Sequence, residues 1–379
     1  MTRFFREAGV ITATTIGAGM FGLPYIFFKS GWMVGIFYLF VLSFIVAGSH
    51  ILYWRTLARA DEKRRLLGMA RDFLGKFWYR MGLFSVLAGL ILALVIYLIL
   101  GTSFIRLFWP SAGDGVGLFM FWLVSIAPLF FERRVVGLEL AGIVFMAGII
   151  LLIFFSAPQF LPQVSVPAID FGNFFLPFGV VLFSLAGWTA IEPLFAERKR
   201  AQETSDKRQA GAEGEGGYFP RKPFFAGTFA AAGLYVLFVV GILGSTAIIA
   251  PDAISGLAAW PEWKLGALGV LGIFALWTSY MPIGLEIKNS LTKDLGWKSH
   301  WGLALTVFLP PLLVLSGFSN FLKVIGLAGG VFLALQYVLI VLVGKRVLGL
   351  SGVEKFFYNL VIAAFLLAAV YEFYYFIVG

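Results

Sequence analysis

The sequence has no cysteine, only two histidines and little charge: 13% of its 379 residues are Asp, Glu, Lys or Arg. Without Cys there is no disulfide and no thiolate metal site. With two His and no paired-carboxylate motif, the acid–base or metal-binding clusters of a membrane enzyme are missing. No Gly-x4-Gly-Lys-Ser/Thr occurs, so no loop of that type cradles the phosphates of ATP. Soluble domains carry about 25% charged residues, roughly twice this share. What is present instead is apolar: 60% of residues are hydrophobic and 42 are Phe. A water-soluble globule of this composition would expose apolar patches that soluble proteins rarely carry. A cytosolic enzyme, a nucleic-acid-binding module and a disordered chain are excluded on that ground. The net charge of +9 then belongs to membrane loops, not to nucleic acid.

Crossing the hydrocarbon layer takes about 20 apolar residues in a helix. Apolar runs bounded by charges or turn residues predict eleven spans, near 8–28, 32–54, 82–105, 116–131, 136–157, 173–195, 224–249, 265–287, 302–316, 322–343 and 356–378. The fourth and ninth are short. The alternation that marks barrel strands is missing, so the expected fold is an all-α membrane protein with 11 transmembrane helices. Of the 29 Lys and Arg, all but Lys29, Arg106, Lys264 and Lys323 fall in the loops of one side. Such a bias orients the chain in a cell membrane with its N-terminus inside and its C-terminus outside. Met1 to Arg6 precede the first run with no small-residue cleavage site after it, which reads as a retained helix. Residues 55–80 look like a basic amphipathic helix at the membrane surface. Residues 196–223 include AGAEGEGG (Ala210–Gly217), a flexible linker by composition. Neither is long enough to be a domain, so residues 1–379 read as one transmembrane unit.

Two spans interrupt themselves. The first reads ITATTIGAGMFGLPY, Ile11 to Tyr25, with Gly17, Gly19 and Gly22 near its middle and Pro24 after them. Gly weakens a helix by about 1 kcal/mol relative to Ala, and Pro removes a backbone donor. Such a segment can serve close helix packing, or it can unwind where its freed groups face protein or a watery cavity. The sixth span reads FSLAGWTAIEP, Phe183 to Pro193, again small and polar before a Pro. Spans 1 and 6 occupy corresponding places if the chain holds a 5+5 inverted repeat, at about 8–157 and 173–343, with 356–378 as an extra helix. Paired interruptions of this kind point to a central transport site. Half-helix N-termini suit a carboxylate, and half-helix C-termini offer carbonyls to an ammonium or a small cation. A zwitterion could thus be held without any charged side chain, in keeping with the scarcity of charge at mid-membrane depth.

In the eighth span Thr278 and Ser279 put two adjacent hydroxyls one turn after Ala275. They can serve a sodium ion, or bond back to a carbonyl of the preceding turn. His50 reads as a hydrogen-bonded packing residue. Glu139 and Glu192 are ionisable groups close to the inner face, and Glu286 and Glu372 fall near opposite interfaces. Tyr97 in the third span could face the site or pack.

These segments resemble a known family. TTIGAGMFGLPY (Thr14–Tyr25) is similar to the first-helix signature of the amino acid/auxin permeases, nearest the hydroxy and aromatic amino acid permeases. LWTSYMPIGLEIKNSLTKDLG (Leu276–Gly296) resembles their eighth helix. FLPPLLVLSGFSNFLKVIGLAGG (Phe308–Gly330) resembles their Phe-x-Pro-Pro helix, the loop after it and the Ala-Gly of the tenth helix. The resemblance implies the leucine-transporter-type fold of the amino acid–polyamine–organocation superfamily, with discontinuous helices 1 and 6. It implies a substrate site of Thr15, Gly17, Ala18 and Gly19 with Phe183, Ser184, Ala186 and Trp188. There Ala18 and Gly19 offer N–H groups to the carboxylate, and Thr15 its carbonyl to the amine. Trp188 stands where many relatives have His. The resemblance also implies a sodium site from the carbonyls of Ala13, Ile16 and Ala275 and the hydroxyls of Thr278 and Ser279. Proton-coupled superfamily members can place a Lys from the fifth helix there, and this span has none, while many relatives in the nearest branch use protons. Both ions stay open.

The expected function is a cation-coupled, secondary active amino acid symporter for large neutral or aromatic amino acids. It needs no cofactor beyond a bound sodium ion, and its partners are the amino acid, the coupling cation and the bilayer, with no nucleic acid. The alternatives are the same fold carrying a nucleobase, a polyamine or a metal ion, a passive channel, and, with the least support, a multispan membrane enzyme.

Overall fold

In a computed structural model, residues 3–60, 65–130, 136–157, 162–206 and 221–378 are described. Every regular element among them is helical. α1 (Arg3–Thr15) leads through a 3₁₀ turn at Ala18–Gly22 into α2 (Leu23–Ser30), followed by α3 (Trp32–Arg59) and the short α4 (Leu66–Met69). Next come α5 (Lys76–Phe108), α6 (Asp114–Phe130) and α7 (Val136–Ser156). α8 (Pro177–Ser184) is joined by a 3₁₀ turn at Trp188–Ala190 to α9 (Ile191–Asp206). α10 (Arg221–Ser245), α11 (Glu262–Asn289), α12 (Ser299–Leu315) and α13 (Phe321–Gly326) come next. A π-helical stretch, Leu327–Leu333, carries α13 into α14 (Ala334–Leu348), and α15 (Gly352–Val378) ends the chain.

Among the described residues, seven helical segments are long and apolar enough to cross a membrane: Trp32–Arg59, Lys76–Phe108, Pro177–Lys199, Arg221–Ser245, Glu262–Thr292, Phe321–Leu348 and Gly352–Val378. An eighth is a bent pair, Phe4–Thr15 with Ala18–Ser30, which turns by 54° at its break. Asp114–Ala127, Val144–Ser156 and Ser299–Leu315 are apolar but shorter. Each of these falls on one of the runs predicted from hydropathy. Chain chemistry sets several boundaries. Pro24 stands in the first turn of α2, where its missing N–H costs nothing. Gly31 turns the chain between α2 and α3 with φ +96°, a conformation L side chains rarely adopt. The Asn320 side chain accepts the Lys323 N–H at 3.0 Å and starts α13.

α1 packs on α10, and the buried turn Ala18–Gly22 that follows it touches α5, α8 and α13, so the break of the first span lies inside the bundle. Large apolar side chains on the outer faces stay exposed, Phe84, Phe155, Leu315 and Phe356 among them, as helices bathed in lipid require. Residues 55–80 do not form one surface helix. α3 continues to Arg59, while α4 and its π-helical continuation bury Leu66, Met69 and Ala70 before Gly75 turns the chain at φ +94° into α5. The linker Ala210–Gly217 lies outside the described residues.

Candidate functional site

Both suspected interruptions are breaks in the helix. α1 stops at Thr15, Ile16 and Gly17 leave the helix, and the 3₁₀ turn begins at Ala18. α8 stops at Ser184, Leu185 to Gly187 leave the helix, and the 3₁₀ turn begins at Trp188. The two are built alike. A Gly precedes each 3₁₀ turn and its carbonyl accepts an N–H three residues on, Met20 to Gly17 at 3.3 Å and Ala190 to Gly187 at 3.1 Å. They differ in bend: α8 and α9 still form one segment, Pro177–Lys199, whereas the first span turns by 54°.

The breaks meet. A Cβ placed on Gly19 would stand 2.6 Å from both Cα and Oγ of Ser184, so only Gly allows the two backbones to come this close. A Cβ on Gly187 would stand 2.9 Å from the Thr15 hydroxyl and 3.4 Å from Cε1 of His50. That Thr15 hydroxyl is buried and without a hydrogen-bond partner. A buried polar group left unsatisfied costs about 1–3 kcal/mol, so its presence at the meeting point of the two breaks calls for an explanation.

Tyrosines reach the freed backbone. The Tyr235 hydroxyl of α10 lies 2.7 Å from the Thr15 carbonyl and 2.6 Å from the Ser184 carbonyl, and with one proton it donates to one of them at a time. The Gly17 amide faces the same hydroxyl. At the second break the Tyr337 hydroxyl of α14 faces the Gly187 amide and lies 3.1 Å from Nε2 of His50. Tyr97 of α5 brings its hydroxyl against Ser279, and a Cβ on Gly17 would stand 3.8 Å from it. Tyr97 thus bridges the first break and the hydroxyl pair on α11.

That pair bonds back. Thr278 Oγ1 and Ser279 Oγ both donate to the Ala275 carbonyl at 3.0 Å, and Thr278 faces Gly142 of α7. Ala13 in the last turn of α1 and Ile16 just beyond it are half-buried. Ala18, Gly19 and Ser184 are buried, and Phe183 and Ala186 half-buried. The Trp188 ring donates Nε1–H to Gln336 Oε1 at 2.8 Å, and Gln336 in turn donates to the Ser85 carbonyl at 3.1 Å.

On the side of the N-terminus, Glu192 is a hub. It accepts from the Tyr53 hydroxyl, from Arg65 Nε at 2.9 Å and from the Leu66 amide at 3.1 Å. Arg65 also stands 3.8 Å from Glu286 on α11. One carboxylate therefore ties α3, α4, α9 and, through Arg65, α11. The Glu139 side chain lies outside the described residues. Glu372, placed near an interface by its position in the sequence, is covered: only 3% of it is exposed.

Sequence reasoning misses Tyr235. The available signal is a hydroxyl in the middle of an apolar span, which needs a partner when buried. Tyr97 stands out in the sequence but is as compatible with packing. Arg65 and Glu192 are 127 residues apart in the chain, so their contact has no local signal.

Residues 2–207 match the family described as transmembrane amino acid transporter protein. No curated protein matches the chain. Among solved structures, the crystal structure of MhsT in complex with L-phenylalanine is similar at 15% identity and a TM-score of 0.60, over 97% of this chain and 99% of that one. At this identity the likeness shows the fold alone, and that fold is the leucine-transporter type.

Proposed function

Since the chain belongs to the transmembrane amino acid transporter family, we propose that it is a secondary active symporter that carries an amino acid together with a cation, sodium or proton. Eleven spans cross the cell membrane, with the N-terminus inside and the C-terminus outside. The first ten form a 5+5 inverted repeat. The amino acid lies between the breaks of the first and sixth spans. Amides near Ala18 and Gly19 take its carboxylate and the Thr15 carbonyl takes its amine, because half-helix ends present unpaired groups of the required sign. A large neutral or aromatic side chain rests against Phe183 and Ala186.

The observation that carries this reading is the convergence of the two freed carbonyls, Thr15 and Ser184, on one tyrosine hydroxyl, beside a buried Thr15 hydroxyl that has no partner. A pair of continuous helices would leave no such groups. The MhsT structure, which holds L-phenylalanine, supports a substrate of that class in the same fold. The carbonyls of Ala13, Ile16 and Ala275 with the hydroxyls of Thr278 and Ser279 are the candidate sodium site, joined to the first break through Tyr97.

Binding of both solutes favours closure on one side and opening on the other, by rocking of one group of helices against the rest. One cation crossing about 100 mV supplies about 2.3 kcal/mol, enough for roughly 50-fold accumulation. Family and fold point to a transporter and not to an enzyme. The test is uptake into proteoliposomes of a panel of labelled amino acids, with sodium and pH gradients imposed separately. Saturable, gradient-dependent accumulation of one class is expected. Flux that neither saturates nor responds to either gradient would remove the symporter.

A further inference from the structure

α15 is the least covered of the long spans, with 22% of its most apolar window buried. Its one carboxylate beyond the first turn nevertheless points inward. Glu372 Oε1 accepts the Gly179 N–H at 2.9 Å. Three glycines form its slot. A Cβ on Gly179 would stand 2.4 Å from Oε1, one on Gly326 2.7 Å from Oε2, and one on Gly330 2.2 Å from Cγ. The slot lies where the start of α8 meets the π-helical stretch Leu327–Leu333, an irregularity frequent at functional sites. The Gly326 carbonyl lines the same slot, 2.6 Å from the Cβ position of Gly179.

Packing alone would be served by a small apolar residue. An ionisable group inside a membrane is costly and marks function by default. Two forces oppose each other here. The Gly179 amide and the positive end of α8 favour the carboxylate, and the apolar cover favours the neutral acid. Tyr38 of α3 and Tyr371 and Tyr375 of α15 face it, with Tyr25 of α2 beside Tyr375. α8 brings no charged side chain, α13 brings Lys323, and α14 brings Tyr337 toward His50 and keeps Lys345 and Arg346 at its far end. No cation among the hydrogen bonds and ion pairs of the described residues meets the carboxylate to fix it in the charged form.

We infer that Glu372 is where the transporter takes up and releases a coupled proton. This rests on the symport reading and names its cation. The carboxylate accepts one proton to become the acid, and gives it back on the other side of the cycle; no other reactant is needed. Glu372 holds α8 by its third residue, and α8 ends in Phe183 and Ser184, about 7.5 Å further on at 1.5 Å per residue. Protonation weakens the charge-assisted hold on Gly179, so the helix that lines the substrate site is free to shift. Proton and amino acid occupancy are thereby linked.

The experiment uses the full chain in proteoliposomes with the best-transported amino acid of the panel, L-phenylalanine first. An inside-alkaline pH gradient without sodium is expected to drive accumulation. Glu372→Gln, whose amide oxygen can still accept the Gly179 N–H, is expected to lose at least about tenfold of that accumulation while exchanging labelled for unlabelled substrate at nearly the native rate. Accumulation driven by sodium alone, or undiminished pH-driven accumulation in Glu372→Gln, would overturn the assignment. If that variant does not fold, infrared difference spectra of the native protein between acid and alkaline pH decide. A titrating carboxylic-acid band that moves in Glu372→Asp supports the site, and the absence of such a band overturns it. No uptake of any amino acid under either gradient would remove the transport reading instead, and the infrared titration would still decide protonation at Glu372.

Discussion

Gly19 and Ser184 touch backbone to backbone: a methyl group on Gly19 would lie 2.6 Å from the Ser184 Cα, where no flexible side chain can yield. The two interrupted spans are therefore held at a fixed separation at the point where their unpaired groups converge. Gly19→Ala is expected to force them apart and to raise the substrate KM by more than about tenfold, the equivalent of about 1.4 kcal/mol. Uptake kinetics measure this beside a thermal unfolding curve that reports whether the variant is folded. A native KM in a folded Gly19→Ala protein would contradict the contact.

Tyr235 supplies the hydroxyl shared by the Thr15 and Ser184 carbonyls. Tyr235→Phe keeps the ring and removes one hydrogen bond, a loss of about 0.5–1.5 kcal/mol in stability. Because the hydroxyl sets the register of both breaks, substrate affinity should fall by about tenfold as well. A stability loss with unchanged affinity, read by ligand-induced thermal shifts, would reduce Tyr235 to packing.

Thr278 and Ser279 both spend their hydroxyl protons on the Ala275 carbonyl. Removing both hydroxyls leaves that carbonyl its helical partner, so folding should be little disturbed. The Thr278→Ala, Ser279→Ala double variant is expected to lose any stimulation of uptake by sodium and to keep uptake driven by a pH gradient. Sodium stimulation that survives in the double variant removes the candidate sodium site.

Glu192 joins α3, α4 and α9, and Arg65 carries the link to Glu286. In Glu192→Gln this closure should loosen on the side where Lys and Arg are concentrated. The native chain has no Cys, so a single Ala186→Cys at the second break can report access directly. Labelling of Cys by a membrane-impermeant reagent from that side is expected to rise several-fold in the Glu192→Gln background, about 1 kcal/mol of lost closure. Equal labelling in both backgrounds would show that the cluster does not gate.

Most of the fold is legible in the sequence because lipid demands long apolar helices, and hydropathy reads length and apolarity directly. The breaks are legible too, since Gly17, Gly19 and Gly22 before Pro24, and Gly187 before Pro193, cluster weak helix formers within apolar spans. The groups that complete the site are not. Tyr235 lies in GLYVLFVV, where an aromatic looks like core, and its partners are 220 and 51 residues away. Glu372 sits close to the end of its span in sequence, which suggests an interface. The rotation of α15 and the absence of side chains on Gly179, Gly326 and Gly330 place it inside instead. Local pattern fixes where a helix weakens; which hydroxyl or carboxylate arrives there depends on packing between distant segments.

Transport by this protein requires an amino acid to be held by backbone groups freed at both interruptions. Amide hydrogen exchange of the reconstituted protein, with and without saturating substrate, measures those groups directly. Protection should rise together in Ile16–Gly19 and Leu185–Gly187 when the amino acid is added, against little change in α6 and α12. Substrate binding with no change in exchange at either segment would contradict it.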